Sequence, residues 1–505
     1  MRPVKHSIDK TSDLPLYLQI RNQIKSAILR GDLVEGQRLP SERQLATELG
    51  INRTTVVNAY RELAAEGLVE GHVGRGTIVS ISRPLDDREA RSRPVAWDQY
   101  FVKAAQWAHS NILQEVAEIA AQPELISFAS GVPAPELYPL QELRESMDLL
   151  FRDSNPELLA NCPAEGYYPL RQWLSDWLND QGMDLTYEII LVTSGSTQAL
   201  ALIVHLFIQP HDEIITETPT SLAALQTFTD AQAQLSSVPL DSEGISTDVL
   251  EDILRRRRPK LIYVLPTFQN PTGRTWSLRR RTDFMHLAQQ YGIPVVEDDP
   301  YSLLYYDSPP PPSLKALDKH GHVIYTSTFS KLVFPGLRVG WIAAAQPVIR
   351  RLAAIKRNTD LFTNAMVQGA LCYCLRGHDW PAYLGKLRLA YRRRRDTMIE
   401  ALHHHAPPGL RWEIPAGGFY LWLSLPSGLR AQHLLSEVRQ TGVVFVPGEP
   451  FYVNGGGRDM IRLNFSHASE KQIEEGMRRL ILAVNNLIEK RIEDRTISEP
   501  TAAII

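Results

Sequence analysis

The residues best suited to chemistry lie in Thr328-Phe329-Ser330-Lys331-Leu332-Val333-Phe334-Pro335-Gly336-Leu337-Arg338-Val339-Gly340-Trp341. A lysine amine attacks an aldehyde only when it is deprotonated, and it then forms a Schiff base. Lys331 follows a predicted strand, has hydroxyls on its N-terminal side and is followed by an arginine. Such neighbours can hold a phosphate while the lysine holds the aldehyde. Lysines usually sit in water at the surface. The apolar, glycine-containing stretch around Lys331 argues against that reading.

Other groups point to the same chemistry. Thr193-Ser194-Gly195-Ser196-Thr197-Gln198 joins a predicted strand to a helix, so backbone N–H groups and hydroxyls converge on an anion. Val295-Val296-Glu297-Asp298-Asp299-Pro300-Tyr301 ends a strand on a carboxylate. A carboxylate beside a pyridine nitrogen keeps that nitrogen protonated and makes the ring an electron sink. Tyr301 can donate to a phenolic oxygen on such a ring, and so can Asn270 in Pro266-Thr267-Phe268-Gln269-Asn270-Pro271-Thr272-Gly273. All these segments fall at the carboxyl ends of strands, where open α/β sheets bind ligands.

The elements that must position them alternate. Apolar strand-like runs occur at Ile189–Val192, Glu213–Thr216, Leu261–Leu265, Pro294–Glu297, Val323–Thr326 and Val339–Ala343, with helical segments between most of them. That alternation predicts an α/β fold with a mainly parallel sheet. At 505 residues, with 44% hydrophobic and 22% charged side chains, the chain has the composition of an ordinary soluble globular protein. No apolar run is long enough to span a membrane, and the N-terminus lacks the apolar core of a secretory leader. Three cysteines argue against a disulfide framework and for a reducing cytoplasm. Cys372 and Cys374 read as buried small residues.

The front of the chain differs. Tyr17, Ile20, Ile24, Ala27 and Ile28 recur at helical spacing. Ser41 and Gln44 form a capping box, Gly50 suits the left-handed end of that helix, and Asn52 caps the next. Val56, Ala59, Tyr60, Leu63 and Ala64 face inward on it, and Leu68 to Val79 reads as a glycine-rich hairpin. In two helices joined by a tight turn, the second enters the major groove. It opens with Arg53, Thr54 and Thr55; Arg53 can contact guanine and the threonines phosphate. Arg43 could reach the backbone, and Arg75 at the hairpin tip the minor groove. Net charge is −3 overall, and residues 1–80 carry only two more basic than acidic side chains. Any grip on double-stranded DNA must therefore come from a few placed residues, in two copies.

The front motifs, from Leu39-Pro40-Ser41-Glu42-Arg43 to Glu66-Gly67-Leu68-Val69, closely resemble the winged helix of GntR-type bacterial regulators over residues 14–79. The later motifs, with Phe128-Ala129-Ser130-Gly131-Val132-Pro133, Pro415-Ala416-Gly417-Gly418-Phe419 and Val446-Pro447-Gly448-Glu449, resemble fold-type I aminotransferases that use pyridoxal phosphate (PLP), over residues 110–490. Their order resembles the MocR/GabR subfamily. The resemblance implies a PLP-binding transcription factor, dimeric and cytoplasmic, that answers PLP, an amine or an amino acid, with a smaller C-terminal α+β subdomain. It implies that Lys331 forms the Schiff base, Asp298 pairs with the pyridine nitrogen, and Tyr301 and Asn270 contact the phenolate. Ser196, Thr197, Thr328, Ser330 and Arg338 would bind phosphate, and Arg462 a substrate or effector carboxylate. The expected divisions are a winged helix at 12–80, a linker at 81–105 and the aminotransferase-like domain at 106–490.

Two positions depart from the pattern. Ser221 stands where an aromatic ring is expected to stack on PLP, and Asn161 where a tyrosine reaches the partner's phosphate. In the other direction, Asn270 and the Asp-Asp-Pro-Tyr run leave room for transamination, so a working aminotransferase with a DNA-binding appendage is a rival reading. A cofactor-free dimerisation scaffold is a third. His403-His404-His405 reads as a solvated helix end rather than a metal site, and the runs Arg255–Arg258, Arg279–Arg281 and Arg392–Arg395 as exposed helix faces.

Overall fold

The structure, a computed structural model, describes Ile8, residues 14–72 and 76–80, Gln122, residues 124–152, Leu158 and residues 160–498. The expected linker at 81–105 and Arg75 lie outside the described residues. The chain divides into two compact units, Met1–Tyr100 and Phe101–Ile505.

In the first unit, α1 (Leu16–Leu29) buries Ile20, Ile24, Ala27 and Ile28. Helix α2 (Glu42–Leu49) starts on the capping box: Ser41 accepts from the Gln44 N–H and Gln44 reaches back to the Ser41 N–H. It ends at Gly50, whose φ of 61° is left-handed, a conformation that costs glycine little. Helix α3 (Arg53–Ala65) is capped by the Asn52 side chain, 3.0 Å from the Thr54 N–H. Its inner face, Val56, Ala59, Tyr60 and Leu63, closes the core. The Tyr60 hydroxyl donates to the Pro40 carbonyl at 2.8 Å and ties α3 to the segment entering α2. Strands β1 (Val69–His72) and β2 (Gly76–Val79) form the antiparallel wing.

In the second unit, β3 (Ile126–Ser127) precedes an eight-stranded sheet of β4 (Ile190–Thr193), β5 (Glu213–Thr218), β6 (Gln234–Asp241), β7 (Gly244–Ile245), β8 (Leu261–Val264), β9 (Val295–Asp298), β10 (Val323–Thr328) and β11 (Gly340–Ala343). The order is β4-β11-β10-β9-β8-β5-β6-β7. The pairings from β10 through β6 are parallel, whereas β11 runs antiparallel to both neighbours and β7 antiparallel to β6. Strands β4, β8, β10 and β11 are buried along their whole length, as strands covered on both faces should be. The second sheet is antiparallel, with β12 (Arg411–Trp412), β13 (Tyr420–Ser424), β15 (Val446–Pro447) and β16 (Met460–Asn464) in the order β12-β13-β16-β15. This is the smaller subdomain. A parallel bridge joins β3 to β14 (Val443–Val444).

Strands β6 and β7 had no counterpart among the expected runs. Strand β6 is half-exposed for most of its length, so it lacks a continuous apolar signal. The arginine runs need correction too. Arg255–Arg258 are exposed, but Arg281, Arg394 and Arg395 are buried. Each has carbonyl or carboxylate partners that make burial tolerable: Arg281 donates to the Trp276, Pro312 and Pro266 carbonyls, Arg394 to the Ser466 carbonyl and Glu136, and Arg395 to the Pro415 carbonyl and Asp307. Cys372 and Cys374 are buried thiols. His403–His405 form the exposed last turn of the helix Trp380–His405. Among the described residues, no helix is long and apolar enough to cross a membrane.

Candidate functional site

A cavity of about 550 Å³ opens at the carboxyl ends of the central strands. It gathers Ser196, Thr197, Ser221, Asn270, Asp298, Tyr301, Lys331 and Arg462, which sequence singled out, with Tyr263, Tyr420 and His467, which it did not.

Lys331 follows β10 on a tight turn and donates to the Gly131 carbonyl. Removal from water lowers the pKa of its ammonium; Arg462 and Arg338 push the same way, while Tyr420 and Asp298 oppose them. A lowered ammonium pKa supplies the free amine that Schiff-base chemistry needs. Asp298 ends β9. Its Oδ2 accepts from the Tyr263 hydroxyl at 2.7 Å, and its Oδ1 is buried with no partner among the described residues. Burial dominates its environment and pushes the carboxyl up to about 6, against the hydrogen bond from Tyr263.

The helix Ser196–Phe207 points its N-terminus at the cavity, after Gly195 with φ 94°. A Cβ on Gly195 would stand 2.6 Å from the Arg338 guanidinium, so only glycine lets Arg338 approach. Arg338 donates to the Ser194 carbonyl at 2.8 Å. A helix N-terminus and an arginine thus meet at one end, the arrangement that binds phosphate. Thr328 and Ser330 are buried in the lysine turn rather than in the cavity wall. The Thr328 hydroxyl accepts from the Ser330 N–H at 3.0 Å and braces that turn.

Arg462 stands on β16. It donates to Asn270 Oδ1 at 3.0 Å and to the Ala129 carbonyl at 3.1 Å. Its guanidinium carbon lies 4.4 Å from the centroid of the Tyr420 ring, and its Nε is buried without a partner among the described residues. Two of its five N–H donors are engaged in these bonds, so it can still take a carboxylate. The bond to Arg462 occupies the Asn270 oxygen and leaves its amide nitrogen to donate. Tyr301 donates to the Tyr420 hydroxyl at 3.1 Å. Burial works against ionisation of Tyr420, but Arg462, Lys331 and the Tyr301 hydroxyl outweigh it and lower its pKa.

Ser221 is the N-cap residue of the helix Leu222–Asp230 and lines the cavity, so this position brings no ring to it. Asn161 is exposed and is not part of the wall. Tyr263 sits inside the apolar run of β8, where sequence gives it the look of core. Tyr420 follows the Gly417-Gly418-Phe419 motif by one residue, the only signal that could have found it.

In the first unit, Arg43, Thr47, Gly50, Ile51, Asn52 and Arg53 border a shallow groove at the helix turn. Arg43, Arg53 and Thr54 are exposed and Thr55 half-exposed. Arg53 is paired with Glu42, at 2.8 Å from Nη2 and 3.2 Å from Nε.

The family described as aminotransferase class I and II matches residues 123–480, and the gntR family of bacterial regulatory proteins matches residues 16–79. Aromatic-amino-acid aminotransferase 1 of Thermococcus litoralis is 36% identical over 78% of this chain and 96% of its own length. The HTH-type transcriptional regulator YisV of Bacillus subtilis is 33% identical over 93% of this chain and 96% of its own. Among solved structures, the α-aminoadipate aminotransferase LysN of Thermus thermophilus, complexed with N-(5'-phosphopyridoxyl)-L-leucine, superposes with a TM-score of 0.73 at 34% identity, covering 78% of this chain and 100% of that one.

Proposed function

The chain belongs to the aminotransferase class I and II family, with a gntR-family domain ahead of the catalytic fold, and from that premise we propose that it is a transcription regulator that binds DNA and reads PLP. The observation that carries this is one cavity holding both a lysine amine with a lowered pKa and a buried carboxylate oxygen without a partner, in a chain that starts with a winged helix. A regulator relative aligned over 93% of the chain and a neighbour crystallised with a phosphopyridoxyl amino acid support it.

PLP brings an aldehyde that condenses with amines and a ring that draws electrons. The residues have separate tasks. Lys331 supplies the tethering amine. Asp298 Oδ1 accepts from a protonated pyridine nitrogen. Tyr301 and Asn270 face the phenolic oxygen. Ser196, Thr197, Arg338 and the helix N-terminus take the phosphate, with Thr328 and Ser330 bracing the lysine turn. Arg462 receives the carboxylate of an amino-acid effector. Arg43, Arg53, Thr54, Thr55 and Arg75 contact DNA, and a homodimer sets two winged units on two half-sites. Reduction of the PLP-loaded protein with borohydride, followed by peptide mapping, should place the pyridoxyl group on Lys331. Its absence, or its presence elsewhere, overturns the assignment.

A working aminotransferase is the second reading, favoured by the presence of Asn270, Asp298, Tyr301 and Arg462 in one cavity. Repeated turnover of an amino acid with a keto acid would establish it.

The raised carboxyl of Asp298 predicts a pH dependence. The empty folded chain holds this proton more tightly than the unfolded chain does. Ionisation therefore costs stability as pH rises from the ordinary 3.8 to about 6. A cation at Oδ1 removes that cost. PLP affinity should accordingly fall as pH drops through about 6, and the step should vanish in Asp298→Asn, as read by absorbance titration. Ser221→Tyr should act the other way. A stacked ring adds about 0.5–1.5 kcal/mol, so PLP should bind roughly two- to tenfold tighter. Unchanged affinity would show that the cofactor ring does not lie over residue 221.

A further inference from the structure

We propose that Glu217 is a positioning residue, a buckle between the two loops that carry Ser221 and Asn270 into the cavity, and that it aims Asn270 at the cofactor. This rests on the reading that PLP occupies the cavity.

Glu217 lies near the end of β5, four residues before Ser221, and is fully buried. Its Oε1 accepts from the Trp276 indole N–H at 3.1 Å. Its Oε2 accepts from the Leu265 backbone N–H at 2.9 Å and from the Gln269 side-chain amide at 3.4 Å. Leu265 and Trp276 bracket the loop that contains Asn270, and Gln269 stands next to it. One carboxylate thus holds that loop at both ends and in its middle.

Gln269 completes the link. Its amide also donates to the Pro219 carbonyl at 2.7 Å, in the loop leading to Ser221. Its own oxygen accepts from the Thr272 N–H at 3.0 Å and the Thr272 hydroxyl at 2.7 Å. The two loops are joined through Glu217 and Gln269.

The chemistry of the partners separates this from ordinary core filling. All three are N–H donors, so both carboxyl oxygens serve as acceptors. None of these partners is charged. Burial pushes the carboxyl up to about 8, against the three hydrogen bonds. A buried carboxyl group, charged or neutral, is expensive where an apolar residue would pack at no such cost. What the carboxylate provides and an apolar side chain cannot is three directed acceptor contacts to one loop.

The test is a double-mutant cycle on the full chain, with PLP as the probe and the dissociation constant read by absorbance. Glu217→Ala and Asn270→Ala should each weaken PLP about tenfold, as expected for a lost directed hydrogen bond. The double variant should be no weaker than either single, because both remove the same contact. If the losses multiply, or if Glu217→Ala binds as wild type does, the buckle is wrong. Should Glu217→Ala not fold, Gln269→Leu cuts the same link and enters the same cycle with the same criterion. If wild type itself takes up no PLP, the functional reading falls and this inference with it. If wild type binds and the cycle is additive, only the buckle falls.

Discussion

In a Lys331→Ala chain, PLP is expected to lose its influence on DNA while the chain still binds DNA as unliganded wild type does. Covalent capture requires an amine, and among the described residues Lys331 is the lysine that lines the cavity. Its replacement should leave Asp298, Asn270 and Tyr301 in place, since among the described residues its hydrogen bond runs to the Gly131 carbonyl. The chain should therefore fold and retain the cavity. A ligand shifts DNA affinity only by its differential affinity for the two arrangements of the protein. Couplings of this kind typically amount to about 5- to 150-fold. PLP should move wild-type affinity for the intergenic duplex beside its own gene by an amount in that range, and leave the variant unmoved. Equal shifts in both proteins would mean that the covalent bond does not carry the signal. A loss of DNA binding without PLP would mean that the lysine serves the fold.

Periodicity and local motifs made much of this molecule legible. The capping box at Ser41 and Gln44 is a contact three residues apart, so spacing alone announces it. Strand β8, inside the sheet, is a continuous apolar run because both faces are covered, and β10, buried along its length, leads into the lysine turn. Other features depend on partners distant in sequence. Nothing near Arg281 indicates that carbonyls at Pro266 and Pro312 will receive it. A run of arginines therefore reads as solvated even when one member is buried. Tyr263 looks like core until its hydroxyl is seen on Asp298, 35 residues away. Tyr420 comes from the second sheet, and no pattern in the first sheet indicates it. Glu217 was hidden for the same reason: an acidic residue at a strand end carries no signal until its three donors are brought together. Local chemistry is written locally, whereas the partners of a buried polar group are set by tertiary packing.

Arg53→Ala should give the largest loss of DNA binding among single changes in the winged unit. The unit carries little net positive charge, so diffuse attraction cannot compensate for a missing contact. A base-reading arginine is worth about 1–3 kcal/mol, roughly 5- to 150-fold in affinity, and a dimer would lose it twice. The salt dependence identifies what Arg53 touches. Relaxed preference at one base pair with an unchanged salt slope assigns it to guanine, whereas uniform weakening with a slope reduced by about one assigns it to phosphate. Glu42 provides the internal control. Its carboxylate holds the Arg53 guanidinium at 2.8 Å, with 54% of the arginine side chain exposed. Exposed pairs of this kind are worth only about 0.2–1 kcal/mol, a small barrier to exchanging the carboxylate for DNA. Removing that carboxylate also removes a negative charge from the face proposed to meet phosphates. Glu42→Gln should therefore bind the duplex more tightly, by no more than about fivefold. Weaker binding would mean that Glu42 aims the arginine and that the pair persists in the complex. The sign of that one change thus decides whether Glu42 competes with DNA for Arg53 or presents Arg53 to it.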